Sequence, residues 1–160
     1  YHEEYCVGCG TCAQVCPSDA ITIVDDIEHH VRKLTIDYGS CMNCGQCEEH
    51  CISEKGIQLS TDFAPPAAVK TADELYHSVE KELVLCESCG APIACQDHFV
   101  WIKERLGAKA YAHPNLLLQT QAKFQTMPVA TTKDKLRRED QIKMVCPKCR
   151  YRIVTIDEFH

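Results

Sequence analysis

No run of 18 apolar residues occurs in this sequence, so we expect that no part of it spans a lipid bilayer. A secretory signal is also missing ahead of the first cysteines, and this absence indicates a reducing, cytoplasmic environment. The chain begins at Tyr1 and not at a methionine. We take this start to indicate a trimmed or fragmentary chain, which could have lost a targeting segment.

The motifs of common catalytic sites are missing too. We find no Ser-His-Asp set, no phosphate-binding P-loop, no G-x-G-x-x-G fingerprint and no pair of carboxylates with a site to serve. Positive charge is scarce as well, since 17 Lys and Arg against 23 Asp and Glu give a formal net charge of −6. Because the catalytic motifs are missing, we expect no substrate chemistry. Because binding to nucleic acid phosphates needs a basic surface, we expect no nucleic acid partner either.

Cysteine is the residue that this sequence has in excess, with 13 among 160 residues. Small secreted domains use so many cysteines as disulfides, whereas intracellular proteins use them as metal ligands. Most of the cysteines here lie two residues apart in sets, which brings their sulfurs around one point. This spacing favours metal binding over a disulfide framework.

Eight of the cysteines form an internal repeat in the first third of the chain. Both copies have the spacing C-x2-C-x2-C-x3-C, which is typical of bacterial ferredoxins that bind [4Fe–4S] clusters. The copies start 35 residues apart and contain Cys6, Cys9, Cys12 and Cys16, then Cys41, Cys44, Cys47 and Cys51. Small residues between them, Gly8, Gly10 and Gly45, let backbone N–H groups approach the sulfides of a cluster.

In this motif the fourth cysteine of each copy binds the other cluster. We therefore assign the first cluster to Cys6, Cys9, Cys12 and Cys51. The second cluster is assigned to Cys41, Cys44, Cys47 and Cys16. Pro17 follows the first copy whereas Ile52 follows the second, and we expect ligation to survive the loss of this proline. The alternatives are eight structural or disulfide-bonded cysteines, or zinc at one of the motifs.

Four further cysteines form a split constellation, Cys86 and Cys89 in one C-x2-C knuckle and Cys146 and Cys149 in another. Four thiolates suit a tetrahedral structural zinc site of the zinc-ribbon kind. The knuckles are separated by 56 residues. A compact ribbon has about 15–20, so we expect helices inserted between them. Iron in a rubredoxin-like site, or unpaired buried cysteines, are the alternatives.

Three other groups of residues receive no ligand role. Cys95 is interpreted as a small buried thiol, with an additional metal ligand as the alternative. The eight histidines are expected at the surface or beside the ligands, because the cysteines already complete each site. A basic group near the last knuckle is expected to offset thiolate charge, with an acidic partner or nucleic acid as the alternative; it consists of Lys143, Lys148, Arg150 and Arg152.

Secondary structure follows from the apolar pattern and the breakers. In the first half we predict strands over residues 20–24, 31–37 and 57–59, with a hairpin turn over residues 25–30. A capping box over residues 71–74 predicts a helix to about residue 82, and residues 83–85 then lead as a strand into the first knuckle.

The second half should contain a helix from Asp97 to about Leu106, ended by Gly107, and a third helix after Pro114. We expect residues 133–141 to be charged and solvated, and residues 151–155 to form a final strand. The fold class predicted is α+β, a two-[4Fe–4S] bacterial ferredoxin domain followed by a zinc-ribbon-like module with inserted helices. The expected segments are a ferredoxin domain over residues 1–62, a linker and helix over 63–84, and the four-cysteine module over 85–160.

The order of these parts resembles the ferredoxin-type subunit of formate hydrogenlyase and hydrogenase-4 complexes, which are membrane-bound [NiFe] hydrogenases. That subunit is a relative of the complex I subunit with two [4Fe–4S] clusters. The resemblance rests on the cysteine repeat, on the segment Leu-Cys-Glu-Ser-Cys-Gly-Ala-Pro-Ile from residue 85 and on the late Cys-Pro-Lys-Cys-Arg, and it covers nearly all of the chain. It implies partners similar to a dehydrogenase and a hydrogenase small subunit, with membrane contact only through them, on the cytoplasmic face.

The function expected is outer-sphere transfer of single electrons without bond chemistry, as a non-catalytic subunit of a hydrogenase-type complex. A subunit of another anaerobic dehydrogenase or reductase is the first alternative. A freely diffusing ferredoxin is the second, although such a carrier needs no C-terminal module of this size. A nucleic-acid-binding ribbon protein with clusters as sensors is the third, and the acidity of the chain counts against it.

Overall fold

The computed structural model describes residues 1–60, 75–122 and 142–155. Short helices and antiparallel strands alternate in it, which confirms the mixed character predicted for the fold. In chain order the elements are α1 (Thr11–Gln14), β1 (Ile21–Asp26), β2 (Val31–Asp37), α2 (Gln46–Glu49), β3 (Tyr76–Leu85), β4 (Pro92–Cys95), α3 (Gln96–Leu106), a 3₁₀ helix (Gly107–Ala112), α4 (Pro114–Ala122) and α5 (Pro147–Thr155). The four strands form one antiparallel sheet in the order β1-β2-β3-β4.

Strands β1 and β2 form the predicted hairpin. Their register runs from Ile21 opposite Ile36 to Asp26 opposite Val31. The turn between them is closed by Asp26, whose carboxylate accepts the backbone N–H of His29 at 3.0 Å. Alternating apolar residues on either side of a polar turn were therefore a sufficient signal for this hairpin.

Residues 76–85 form strand β3, so the prediction of a helix reaching residue 82 was wrong. β3 pairs antiparallel with β2 over seven residue pairs. Its buried side chains are Val79 and Leu83. A spacing of four residues puts two side chains on one face of a helix and equally on one face of a strand, so the pattern alone does not separate them. Residues 76–85 form a strand because the backbone N–H and C=O groups at the free edge of β2 need hydrogen-bond partners, which a neighbouring strand supplies.

The strand predicted at residues 57–59 was also wrong, since this segment is irregular. Its Leu59 N–H donates to the Glu48 carboxylate at 3.1 Å and not to a neighbouring strand. The position beside β2 is occupied by β3 instead. The side chain of Ile57 is buried in the core between the two cysteine loops, so the apolar character of the segment serves packing and not sheet formation.

The predicted helices of the second half are confirmed. Helix α3 begins directly after β4 and ends at Gly107, which has a φ of 55°. It buries Phe99 against the 3₁₀ helix and α4, and α4 begins at Pro114. Helix α3 is preceded by Cys95 and begins at Gln96, one position before the predicted start at Asp97. The sheet joins β1 and β2, which follow the first cysteine repeat, to β4 in the second half of the chain, with a register shift between Val84 and Leu85.

The segment after the last cysteine pair is helix α5, so the strand predicted over residues 151–155 was wrong. Pro147 occupies the first helical position, where the missing N–H removes no hydrogen bond. Cys149 and Ile153 are buried, whereas Tyr151 between them is 69% exposed. A strand would place all three side chains on one face, whereas a helix turns Tyr151 away from the other two. The second knuckle therefore lies at a helix start and not on a ribbon strand.

Two predicted features lie outside the described residues: the capping box at 71–74, within the predicted linker, and the charged segment 133–141. Within the described ranges, no helix combines the length and the apolar character needed to cross a membrane.

In the described residues, three clusters of buried side chains make up the core. The largest joins the sheet to the cysteine loops, and its members are Cys6, Cys12, Ile21, Leu34, Ile36, Cys47, Ile57 and Val79. A second contains three of the late cysteines, Cys86, Cys146 and Cys149, together with Val145 and Ile153. A third is formed around Phe99 by the helices of the second half. Cysteines of both groups are therefore part of the hydrophobic core.

Candidate functional site

Each cysteine repeat folds as a loop that leads into a helix of one turn. Helix α1 follows Gly10 and helix α2 follows Gly45, and the two glycines have φ values of 82° and 79°. Glycine adopts this left-handed conformation at little cost, which explains why it follows the second cysteine in both repeats. The internal repeat in the sequence is therefore a repeat in backbone structure.

Two small cavities lie beside these loops, and cysteines dominate their linings. The first cavity is lined by Cys6, Cys9, Cys12 and Cys51. The second cavity is lined by Cys16, Cys41, Cys44 and Cys47. Each cavity thus receives three cysteines from one repeat and the fourth from the other.

The remaining walls of both cavities are largely apolar. Leu34 and Ile57 contribute to the first cavity, and Ile21 and Ile36 contribute to the second. Four converging thiols and a wall that excludes water are the donor set and the environment of a [4Fe–4S] cluster. The residues present therefore fit two such clusters.

The fourth cysteine of each repeat has a serine hydroxyl beside its sulfur. The Sγ–Oγ distance is 3.7 Å from Cys16 to Ser18 and 3.3 Å from Cys51 to Ser53. Both serines lie two residues after their cysteine, in Cys-Pro-Ser and Cys-Ile-Ser. Our sequence reasoning missed these residues, although their equal offset in the two repeats was a signal that could have revealed them.

Backbone N–H groups reinforce these hydroxyls. Burial raises the pKa of Cys51, but the Ser53 hydroxyl and the N–H groups of Ile57, Ser53 and Gly56 lower it, and the pKa ends below its usual value. The pKa of Cys16 is lowered in the same way, against burial, by Ser18 and by neighbouring N–H groups. Donors aimed at a sulfur favour the thiolate, which is the form that binds a metal.

The two loops differ in what covers them. Gly8 lies in the first loop with a φ of 68°, and a Cβ added there would lie 2.5 Å from the Cys95 Sγ. Its counterpart in the second repeat is Asn43, which has a φ of 54° and is exposed to solvent. Cys44 next to it is exposed as well. The end of β4, where α3 begins, therefore packs on the first loop, while the second loop lies at the surface.

An ion pair also fixes the first loop. Arg32 on β2 donates to both carboxylate oxygens of Asp25 on β1, at 2.6 and 2.8 Å, and to the carbonyl oxygen of Gly8 at 3.1 Å. The hydrogen bond to Arg32 lowers the pKa of Asp25, outweighing the upward shift from burial. The sheet thereby holds the backbone between Cys6 and Cys9 in place.

The four late cysteines converge on one point. The sulfurs of Cys86, Cys89, Cys146 and Cys149 all lie within 4.8 Å of one another, and all but Cys89 are buried. Cys89 Sγ and Cys146 Sγ are 3.7 Å apart. Four thiolates at about 2.3 Å from a central zinc stand about 3.8 Å apart at the corners of a tetrahedron. The arrangement therefore fits a tetrahedral metal ion held by four sulfurs.

The two knuckles are built differently. Cys86 and Cys89 lie in the turn between β3 and β4, which is closed by Cys86 N–H donating to Ala91 O at 2.8 Å and Gly90 N–H donating to Cys86 O at 2.9 Å. Cys146 and Cys149 lie at the start of α5, and the Cys146 N–H donates to Cys86 Sγ at 3.3 Å. This last bond joins the two knuckles across 60 positions of the chain.

Burial raises the pKa of Cys86, while the N–H groups of Cys146, Cys89 and Ser88 lower it, to about 7 on balance. A thiol with this pKa is about half ionised at neutral pH, and metal ligation requires the ionised form. N–H donors thus favour the thiolate at Cys86 as they do at Cys16 and Cys51.

A buried asparagine attaches the second knuckle to α4. Asn115 donates to Val145 O at 2.9 Å and accepts the Val145 N–H at 3.4 Å. Arg150 donates to the same amide oxygen and to Lys143 O. Within the basic group near this knuckle, Arg150 therefore donates a hydrogen bond to the backbone of the loop before it. Lys148 and Arg152 are exposed.

Cys95 and the histidines of the first domain stand apart from both metal sites. The Cys95 thiol is fully buried and donates to Gly8 O, in agreement with its interpretation as a buried thiol. His29 pairs with Asp26 in the exposed hairpin turn. His50 is exposed and contacts Gln46 O at 3.0 Å. Neither histidine lines a cysteine cavity.

Comparison with known proteins agrees with this geometry. Residues 5–55 match the family model of the 4Fe-4S dicluster domain. The chain is 36% identical over 84 residues to one subunit of the Na(+)-translocating ferredoxin:NAD(+) oxidoreductase complex from Acetobacterium woodii, which covers 52% of this chain and 22% of that protein. It is 38% identical over 64 residues to an NADH-quinone oxidoreductase subunit I from Pelobacter propionicus, which covers 36% of this chain and 34% of that protein.

The matches therefore span about a fifth and a third of the length of these two relatives. They carry no specific link to formate hydrogenlyase or hydrogenase-4. Residues 5–55 of this chain form a 4Fe–4S dicluster domain.

Proposed function

We propose that this chain is an electron-transfer subunit, which relays single electrons through two [4Fe–4S] clusters to other subunits of an oxidoreductase complex. The observation that carries the proposal is the pair of cavities, each lined by three cysteines of one repeat and one of the other. A bound cluster supplies a site for one electron, and no bond is formed or broken. The chain's own residues hold the sulfurs in place, exclude water and donate N–H and O–H groups to them.

In this proposal Cys6, Cys9, Cys12 and Cys51 hold the first cluster, and Cys41, Cys44, Cys47 and Cys16 hold the second. Close spacing of the two loops supports rapid exchange between the clusters, since helices α1 and α2 are in contact. In this proposal residues 1–62 carry the clusters, residues 63–84 link the two modules, and residues 85–160 hold the late metal ion. Strand β3 then belongs to the ferredoxin sheet in structure, although it lies in the linker by sequence.

We further propose that Cys86, Cys89, Cys146 and Cys149 hold one structural zinc ion. The near-tetrahedral convergence of their sulfurs supports a four-thiolate metal ion. Iron would use the same four ligands and remains the alternative. The metal would fix α5 against the β3–β4 turn and so stabilise a module that docks partner subunits.

The finer assignment, a relay within a membrane-bound hydrogenase or formate hydrogenlyase, rests on the order of parts along the chain. Its partners would be similar to a hydrogenase small subunit and a dehydrogenase. A subunit of another anaerobic dehydrogenase or reductase is the second candidate, and both relatives carry names of oxidoreductase subunits. A diffusible ferredoxin is favoured least, because the described C-terminal helices add a module that a free carrier does not need.

Metal analysis of protein purified without oxygen tests the cofactors. Two cubane clusters and one zinc predict about eight iron atoms and one zinc per chain. About twelve iron atoms, or fewer than about four, would contradict the ligand assignment. Matched Cys146→Ser and Cys44→Ser variants should separate the sites, because the first should lose zinc alone and the second should disturb iron alone.

Purification from the native cells under the same conditions tests the complex. Co-purification of a [NiFe] large subunit, identified by mass spectrometry, is expected for the hydrogenase assignment. A different dehydrogenase or reductase would contradict that assignment while keeping the relay role. Recovery of the chain alone, with both clusters intact, would contradict the proposal of a complex subunit.

A further inference from the structure

Strand β3 places a largely buried lysine side chain against the first loop. The Lys81 side chain is only 10% exposed, and its ammonium donates to the backbone carbonyl of Glu3 and, at 3.0 Å, to Asp97. Its Cβ lies 3.2 Å from the position that a Cβ on Gly8 would occupy. The stem of this lysine is thus packed on the loop between Cys6 and Cys9, and its charge lies at the Glu3 carbonyl, three residues before Cys6.

The charge of this lysine is less fully offset than that of its neighbour Arg32. Arg32 and Asp25 are both largely buried, with side chains 17% and 21% exposed, so their opposite charges act together as a neutral pair. The carboxylate that faces Lys81 belongs to Asp97, whose side chain is 51% exposed. Water screens Asp97 much more than it screens Lys81, so a net positive field remains at the first loop.

Among the residues that the structure describes, neither cavity has a lysine or arginine in its lining, so the difference between them lies in what packs on their loops. Asn43 stands where Gly8 stands in the first repeat, and it is exposed instead of covered by a strand. The internal repeat therefore provides two similar sets of ligands in unequal electrostatic surroundings.

We propose that Lys81 makes the first cluster easier to reduce than the second, so that an electron entering the pair resides at the first. This inference rests on the proposed function. A cluster gains negative charge when it is reduced, and a nearby buried cation stabilises that charge. The exposed second loop, with Cys44 at the surface, is then the side on which electrons exchange with a partner.

The test is a redox titration of the protein with both clusters loaded, followed by electron paramagnetic resonance. Lys81→Gln should shift the one-electron equilibrium of the first cluster toward the oxidised form by about tenfold, which is about 59 mV. Lys81→Arg should restore it, because the charge is retained. The matched control is Lys33→Gln on β2, whose side chain is 49% exposed and which should shift neither cluster.

A second variant distinguishes an effect of charge from a loss of folding in Lys81→Gln. Asp97→Asn removes the partly screened counter-charge and leaves Lys81 in place, so the first cluster should become easier to reduce. The change is at an exposed side chain and needs no repacking. A stability effect alone would not give shifts of opposite sign in the two variants.

The signals are assigned with Cys44→Ser, which alters the second cluster and should leave the responding signal unchanged. Equal shifts of both clusters, or no shift in either Lys81→Gln or Asp97→Asn, would overturn the inference while two clusters are present. An unsubstituted protein with fewer than two cluster signals would overturn the proposed function itself. The two failures are therefore distinguishable.

Discussion

The Cys95 thiol donates a hydrogen bond to the carbonyl oxygen of Gly8 at 3.4 Å, although 87 positions separate them in the chain. The same carbonyl oxygen accepts a hydrogen bond from Arg32. One backbone group in the first loop is therefore fixed from two sides, by β2 and by the end of β4. The contact requires a residue without a Cβ at position 8, because Cys95 Sγ would lie 2.5 Å from it.

We predict that Gly8→Ala destabilises the protein by about 2–5 kcal/mol, measured as the free energy of unfolding. The left-handed φ costs an alanine about 1–2 kcal/mol, and overpacking adds about 1–3 kcal/mol. Gly90→Ala is the matched control, since Gly90 has a φ of 70° and nothing within 4 Å of the added Cβ. It should cost only the conformational part.

A second substitution separates the clash from the backbone effect. Cys95→Ala removes the sulfur that the new methyl group would meet, so the double variant should be less destabilised than the sum of the two single variants. Strict additivity would show that Cys95 does not constrain Gly8.

The Asp25–Arg32 pair should stabilise the first domain throughout the neutral range. We predict that Asp25→Asn lowers the free energy of unfolding by about 1–3 kcal/mol at pH 7, because Arg32 loses a charged partner. Arg32 depresses the pKa of Asp25 in the folded state. The stabilisation is then complete above the ordinary carboxyl pKa and is lost only as the pH falls through the depressed value. Unfolding curves at pH 6, 7 and 8 should therefore give the same difference, and a difference that changed over this range would contradict the assignment.

The two serines allow a test of the crossed ligands. Ser18→Ala should lower the potential of the second cluster and Ser53→Ala that of the first, because each removes a donor from a sulfur that binds the cluster of the other repeat. A hydrogen bond of about 0.5–1.5 kcal/mol corresponds to about 20–65 mV for one electron. The Ser53→Ala shift should be the larger, since its Oγ is 3.3 Å from the sulfur and that of Ser18 is 3.7 Å.

Each of these variants is the control for the other, and redox titration measures both. A shift of the first cluster by Ser18→Ala would indicate that each repeat binds its own cluster. Such an outcome would contradict the crossed arrangement.

Asn115 should support the late metal site without touching it. Asn115→Leu leaves both backbone groups of Val145 without their amide partner, and we expect about 10–100-fold weaker zinc binding, as for other residues that support ligands. Competition with a chelator measures this affinity. The iron content serves as the internal control and should not change, and an unchanged zinc affinity would contradict the role of Asn115.

The grouping of the cysteines was predictable because metal binding imposes a local spacing. A cubane or tetrahedral ion requires sulfurs a few residues apart, so C-x2-C patterns are visible in the chain. The hairpin and the helices around Phe99 and Leu116 were also predictable, because each has a signal in its own local sequence. The fourth ligand of each cluster was assigned from the motif and not from any local pattern.

The errors fall where one spacing fits two structures or where the deciding contact is distant. Val79 and Leu83 lie four residues apart, which suits a helix and a strand equally, and only the free edge of β2 separates the two. Ile153 and Val154 favour a strand by propensity. The segment is nevertheless helix α5, which begins with Pro147 and has buried cysteines at its N-terminal end. Lys81 and Arg32 reach the first loop from 73 and 24 positions away, so no window on the sequence reveals them.

Strand β3 has a further consequence for assembly of the holoprotein. Its middle packs against the first cysteine loop through Lys81, and its last residue, Leu85, directly precedes the knuckle that begins at Cys86. Under the proposed metal assignment, whichever centre is inserted first orders the strand that the other one needs. Insertion of the second centre then loses less conformational entropy, because the strand is already ordered. The two insertions are therefore cooperative, and each favours the other by the same factor.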